Sequence, residues 1–321
     1  MSSPESESPV GQFLAQLGSC RCCPRQCGVD RLAGQLGFCR VGAEALVAHV
    51  GLHHGEEPPI SGERGSGTIF FAGCNLRCLF CQNHQISQEF RRAALSAMDP
   101  EALAGAMLRL QAEGAHNINF VSPSHLVWPM AEAILIARDR GLTLPVVYNS
   151  NGYDSLEALR RIRGLIDIYL PDLKYQDPAM ARDYSQAADY PEVIGGVLAE
   201  MLDQVGHLEV DDEGIARRGL LVRHLVLPGG VENSRASLRL LAGLDPEVTV
   251  SLMSQYSPQY KALQHPALNR LLSLAEYDQV TEYALDLGLE QVFVQELTSQ
   301  GAYLPDFDQE RPFGSDPGEE V

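Results

Sequence analysis

Cys74, Cys78 and Cys81 follow one another as Cys-x3-Cys-x2-Cys, directly after an apolar, β-prone run from Thr68 to Phe71. A strand therefore delivers three thiols onto one short loop. Cysteine thiolates hold iron–sulfur clusters, usually four to a cluster. Three from a single loop ligate three irons of a cubane and leave the fourth open. An open iron is a coordination site, which is a catalytic device and not merely a structural one. A structural zinc ion is the competing use of such thiols. It normally takes four ligands, and the nearest other cysteine, Cys39, lies far upstream.

A second group precedes the first. Cys20, Cys23, Cys27 and Cys39 are spaced Cys-x2-Cys-x3-Cys-x11-Cys, with Cys22 as a fifth thiol. Four thiolates at short spacing suit zinc or an auxiliary iron–sulfur cluster, and the spacing leaves both open. A redox dithiol pair is the alternative. Arg21, Arg25, Arg31 and Arg40 stand in this segment against Asp30. Four thiolates around a divalent ion leave a net negative site, and these arginines would neutralise it.

Composition narrows the setting. The chain has 321 residues, 45% of them apolar, enough for one large domain plus a small one. A net charge of -18 argues against nonspecific nucleic-acid affinity, which rests on Lys and Arg neutralising phosphates. No run of 18 apolar residues appears, so no membrane span is expected. Met1 to Pro9 has neither the basic start nor the apolar core of a secretory signal. A cytoplasmic location is therefore expected, where thiols stay reduced. All eight cysteines fall before residue 82 and read as metal ligands, not disulfides.

That asymmetry divides the chain. Residues 1–19 read as a flexible lead-in with a short helix around Gln12 to Leu17. Residues 20–67 read as a Cys- and Gly-rich module and connector. In it His53, His54, Glu56, Glu57 and Arg64 are assigned a structural role, shaping the lead into the first strand. Residues 68–301 alternate strands and helices, the pattern of a parallel sheet with crossover helices. Candidate strands are 68–72, 116–121, 144–149, 166–173, 219–227, 247–253 and 291–296. Asp99-Pro100 starts a helix whose apolar side carries Leu103, Met107 and Leu110. Asp154-Ser155-Leu156-Glu157 reads as a capping box with Asp154 as the cap. A third helix spans about 191–205, and Asp211 to Gly214 is a hairpin turn. Residues 302–321 are acidic and read as mostly disordered. Units of this length suit a partial or closed (β/α) barrel, with chemistry at the C-terminal ends of the strands.

The triplet, with aromatic Phe80 just before its third cysteine, resembles the signature of the radical S-adenosylmethionine (radical SAM) superfamily. From about Cys20 to about Glu296 the chain resembles the group related to pyruvate formate-lyase-activating enzyme, in its branch with a cysteine-rich N-terminal extension. The resemblance implies a partial (β/α)6 TIM-like barrel and a [4Fe–4S] cluster on Cys74, Cys78 and Cys81. It also implies that the open iron binds the amino and carboxylate groups of S-adenosylmethionine, whose reductive cleavage gives a hydrogen-abstracting radical. A low-potential electron donor and a protein substrate, such as a glycyl-radical enzyme, come with it.

Polar residues recur just past the candidate strands, where a barrel ligand is met. Ser122-Pro123-Ser124 stands where the activating enzymes have Gly-Gly-Glu. Asn149-Ser150-Asn151-Gly152 resembles their Asp-Thr-Asn-Gly, with Asn149 in place of Asp. Asp172-Leu173-Lys174 matches their Asp-Leu-Lys, making Lys174 a partner for the carboxylate of S-adenosylmethionine. Arg223 belongs to a Val-Arg…Pro-Gly segment that also resembles theirs; its other reading is an internal ion pair with Asp172. Tyr256 stands where a histidine helps place adenosine, and its resemblance-based role is contact with adenine. His224 is read equally as a core histidine. The resulting set is Phe80, Ser122, Asn149, Asn151, Asp172, Lys174, Arg223 and Tyr256 for cofactor binding. The rival functions are a non-enzymatic iron–sulfur electron carrier or redox sensor, and a structural zinc protein. Neither requires a second ligand pocket beside the cysteines.

Overall fold

The apolar run ahead of the cysteine triplet lies in a strand buried along its whole length, inside a ten-stranded sheet. The computed structural model describes residues 11–90, 95–300, 304–309 and 311–313. In chain order the strands are β1 (Ala45–His53), β2 (Ser66–Phe71), β3 (Ser96–Met98), β4 (Ile118–Val121), β5 (Val146–Asn149), β6 (Ile168–Tyr169), β7 (Glu209–Val210), β8 (Ala216–Leu225), β9 (Thr249–Met253) and β10 (Val292–Val294). The helices are α1 (Pro58–Ser61), α2 (His84–Ser87), α3 (Pro100–Ala112), α4 (Val127–Asp139), α5 (Leu156–Arg161), α6 (Pro178–Ser185), α7 (Tyr190–Val205), α8 (Val231–Leu244) and α9 (Leu274–Asp286).

Strands β2, β4, β5, β6, β8, β9 and β10 run parallel and lie side by side in chain order. This is a mixed α/β fold with a largely parallel sheet. Each candidate strand overlaps one of these seven. Direct cross-strand partners project to the same side of a sheet, so register decides which polar groups meet. Asp172 pairs with Arg223 in an isolated bridge, Arg223 with Ser251, and Val121 with Asn149.

Local sequence explains most elements. Asp99 accepts the Ala102 N–H at 2.8 Å and opens α3, and Leu103, Met107 and Leu110 are fully buried beneath it. Each such side chain contributes about 1.5–3 kcal/mol by leaving water. The Asp211 carboxylate accepts the N–H groups of Glu213 and Ile215 and closes the turn between β7 and β8.

Three expectations need correction. The cap of α5 is Ser155, which accepts the Ala158 N–H. Asp154 is buried instead, accepting hydrogen bonds from Tyr148 (2.8 Å) and Ser150 (2.7 Å). Residues 45–53, assigned to the Cys-rich module, form β1, which joins the sheet antiparallel to β2 and carries β3 on its other side. The signal was there in Ala45-Leu46-Val47-Ala48-His49-Val50, a β-prone run overshadowed by the neighbouring cysteines. The short N-terminal helix is a 3₁₀ turn at Leu14–Ser19; residues 1–10 lie outside the described residues. Of the acidic tail, residues 304–309 and 311–313 are described, and there Phe307 and Phe313 join Phe70, Ile86 and Val121 in a separate apolar cluster; the rest of the tail lies outside the described residues. Among the described residues no helix is long and apolar enough to cross a membrane.

Candidate active site

The triplet loop leaves β2 through Gly73, whose φ of +78° favours glycine. A Cβ there would lie 2.5 Å from Val41 and 2.8 Å from the Cys39 carbonyl. Gly73 thus lets the N-terminal segment pack against the loop. Beyond it, Cys74, Cys78 and Cys81 all line one cavity of about 530 Å³. Each sulfur has a polar neighbour. Cys74 Sγ accepts from Leu76 N–H (3.4 Å) and from Asn151 Nδ2 (3.3 Å). Cys78 Sγ accepts from Ser185 Oγ (3.0 Å), and Cys81 Sγ lies 3.3 Å from Ser87 Oγ.

Burial pushes the Cys74 thiol up to about 11 and the Cys81 thiol up to about 12, with Cys78 adding to both and Lys174 opposing. Bound iron would reverse that cost. Among the described residues, no three His, Cys, Asp or Glu side chains share one point as ligands to a single ion do. Three thiols on one loop that line one cavity suit a cubane, in which each thiolate takes a different iron.

The facing wall is a charged network on neighbouring strand ends. Lys174 Nζ lies 2.7 Å from Asp172 Oδ2, and Arg223 Nε 2.9 Å from Asp172 Oδ1. Arg223 Nη1 reaches Glu56 Oε2 at 3.0 Å, and Arg223 Nη2 donates to Asn149 Oδ1. Asn119 (3.0 Å) and Asn149 (3.1 Å) donate to the other Glu56 oxygen. Burial pulls the Asp172 carboxyl upward, but Arg223 and Lys174 outweigh it and hold the group below the usual carboxylate range. Burial also opposes the Lys174 charge; Asp172 and Cys78 outweigh it and raise the ammonium pKa.

The structure brings together seven of the eight residues named for cofactor binding. Phe80, Ser122, Asn149, Asn151, Asp172, Lys174 and Arg223 line the cavity. Tyr256 does not. It is 1% exposed, packs edge-on against Phe80 at 6.0 Å, and donates its hydroxyl to the Leu268 carbonyl at 2.7 Å. Its ring supports Phe80 from behind. Arg223 makes the ion pair with Asp172 that was its other reading. His224 is a core histidine: Nδ1 meets the Leu173 carbonyl at 2.6 Å and Nε2 the Ser234 hydroxyl at 2.8 Å.

Glu56 and Glu57, given a role outside the site, line the cavity with Ser251, Gln255 and Gln295. The signal for Asn119 was a lone amide inside the apolar strand Ile118–Val121. Glu56 had none, because its partners are remote in sequence. The N-terminal cysteines lie on the far side of the triplet loop, lining a separate, much smaller cavity with Asn75 and His125.

Comparison with known proteins bears on this arrangement. Residues 68–197 match the family described as the Radical SAM superfamily. Over 284 residues the chain is 30% identical to the uncharacterized protein MJ0674 of Methanocaldococcus jannaschii, covering 86% of this chain and 77% of that protein. Among solved structures, methylornithine synthase (PylB) aligns with a TM-score of 0.45 and 17% identity, over 79% of this chain and 77% of its own. SuiB of Streptococcus suis aligns with a TM-score of 0.46 and 11% identity, over 70% of this chain and 47% of its own. The matched segment opens at Thr68 and contains the triplet and the strand ends up to Lys174, and the chain belongs to the radical SAM superfamily.

Proposed function

We propose that Cys74, Cys78 and Cys81 hold a [4Fe–4S] cluster, that S-adenosylmethionine binds between it and the Asp172–Lys174–Arg223 wall, and that the hydrogen removed comes from a protein or peptide. The observation that carries this reading is the pairing of three thiols on one loop with a roomy cavity also lined by Asp172, Lys174 and Arg223. When bound, the cluster supplies the electron that cleaves S-adenosylmethionine to a hydrogen-abstracting 5′-deoxyadenosyl radical. A low-potential protein or flavin donor would have to reduce it.

The chain's own residues prepare the site. Ser185, Ser87, Asn151 and the Leu76 N–H steady the thiolates. Lys174, cationic and oriented by Asp172, is the partner for the ligand carboxylate. Arg223 has its guanidinium engaged by Glu56, Asp172 and Asn149, so it positions the wall instead of gripping ligand itself. Phe80 and Phe70 present apolar surface to the cavity and exclude water.

A peptide substrate is supported by the rim. Phe293 and Val294 on β10 line the cavity, yet are 38% and 49% exposed. Strand β10 ends the sheet, with β9 on its inner side, and an extended chain can be read at such an edge. A glycyl-radical enzyme is one such substrate, and a curved, partial (β/α)6 barrel is the shape we assign to the sheet.

The test is 5′-deoxyadenosine formation from S-adenosylmethionine by protein reconstituted anaerobically with iron and sulfide, then reduced with dithionite. Wild type is expected to form it and Cys78→Ala to lose it. Lys174→Met is expected to weaken S-adenosylmethionine binding at least tenfold with cluster content unchanged. A loaded, reducible cluster that neither binds nor cleaves S-adenosylmethionine overturns the reading in favour of an electron carrier.

A further inference from the structure

The radical chemistry makes no use of the N-terminal cysteines. Cys20, Cys22, Cys23 and Cys39 are buried, Cys27 is exposed, and all five border one cavity. Two tight turns carry them: Gln26 N–H bonds to the Cys23 carbonyl and Arg40 N–H to the Gly37 carbonyl. Both turns contain a non-glycine residue in the left-handed region, Gln26 at φ 42° and Arg40 at φ 62°.

We infer that Cys20, Cys23, Cys27 and Cys39 bind a single divalent ion of the zinc class through four thiolates, with Cys22 outside the ligand set. The first argument is hydrogen bonding. Cys27 Sγ accepts the Phe38 N–H at 3.4 Å. A main-chain donor of this kind steadies a thiolate ligand. The Cys22 sulfur lies 3.7 Å from Cys20 Sγ, and the two thiols bond to each other.

The second argument is Arg31. It is 2% exposed, and among the described residues its partners are carbonyls and sulfurs: Gly42 O, His125 O (2.6 Å), Cys20 Sγ (3.9 Å) and Cys22 Sγ (3.8 Å). A buried cation without a carboxylate partner is costly unless another anion stands beside it. Four thiolates on a divalent ion carry a net charge of about −2, which is such an anion.

The third argument is size. The cavity admits about 10 Å³, roughly one small sphere, which suits a single ion. In the structure no three of the sulfurs share one point, so binding would have to draw the thiols together. The ion would then brace the triplet loop. Arg25 Nε donates to the Asn75 carbonyl at 3.0 Å, and Arg77 donates to the Phe38 carbonyl.

The test uses the full chain with Cys74→Ser, Cys78→Ser and Cys81→Ser together, so its outcome is independent of the radical chemistry. Metal analysis after chelator dialysis and gel filtration is expected to find one zinc per chain. Cobalt exchange is expected to give the intense thiolate charge-transfer and visible bands of a tetrahedral site. In this background Cys27→Ser and Cys39→Ser each lose the ion, Cys22→Ser keeps it, and Cys39→His keeps it with a shifted cobalt spectrum. That last variant separates loss of a ligand from loss of the fold. Absence of stoichiometric metal, iron with an equal amount of inorganic sulfide, or loss of the ion on Cys22→Ser would each overturn the assignment.

Discussion

Arg223 is the residue on which the cavity wall depends, and Arg223→Met tests that. Its side chain is 14% exposed, against 8% for Glu56 and 20% for Asp172. Removing one partner of a buried ion pair costs about 3–5 kcal/mol, because the charge left behind is uncompensated. Here the loss is partly offset. Asp172 keeps Lys174, and Glu56 keeps the amides of Asn119 and Asn149. Methionine also fills much of the arginine stem's space. The low end, about 3 kcal/mol, is therefore expected. At about 2 °C per kcal/mol for a chain of this size, the thermal midpoint at neutral pH falls by about 6 °C. Burial already raises the Glu56 carboxyl pKa, and Arg223 opposes that rise. Without Arg223 the carboxyl takes up a proton more readily, so the deficit shrinks as the pH is lowered. For the same reason Glu56→Gln added to Arg223→Met recovers at least 1 kcal/mol. Calorimetric or circular-dichroism melts of the four proteins in the double-mutant cycle read this directly. A single variant within 0.5 kcal/mol of wild type, or no recovery in the double variant, refutes the reasoning.

Two further outcomes follow from particular side chains. His224 is fully buried and neutral, and desolvation brings its pKa down to about 4. A depressed histidine contributes stability that is present above the ordinary imidazole pKa and lost as the pH falls from about 6.5 towards 4. The full contribution is about 3 kcal/mol. His224→Gln should therefore flatten stability against pH across that window, and parallel wild-type and variant profiles would contradict it. At Gly73, alanine combines a left-handed φ with a Cβ 2.5 Å from Val41. Gly73→Ala is expected to cost about 2 kcal/mol or more and to lower iron incorporation during reconstitution. Unchanged iron content with an unchanged melt would show that the loop does not need this approach.

What could be read from the sequence was local. The strand before the triplet, the cap at Asp99 and the turn at Asp211 each rest on residues within a few positions of one another. Seven strands were legible because burial and β-branching mark them. The missing pieces are contacts across long separations. Glu56 and Arg223 are 167 residues apart, and no spacing rule joins them. Tyr256 was placed by correspondence at the end of β9, but its hydroxyl is drawn to the Leu268 carbonyl behind Phe80. Strand β1 was hidden because the glycines and cysteines around it suggested a metal module.

Glu56 also gives a physical reason for an amide, and not a carboxylate, at Asn149. In this chain its Nδ2 donates to Glu56 while its Oδ1 accepts from Arg223. An amide has one donor end and one acceptor end, so it satisfies a carboxylate and a guanidinium at once. An aspartate here would meet Arg223 equally well, but it would turn a second carboxylate oxygen towards Glu56. Asp172 already provides one carboxylate to Arg223, and Glu56 provides another. A third, buried and without its own cation, would be costly. A neutral amide at position 149 therefore suits a wall to which Glu56 and Asp172 already supply two carboxylates.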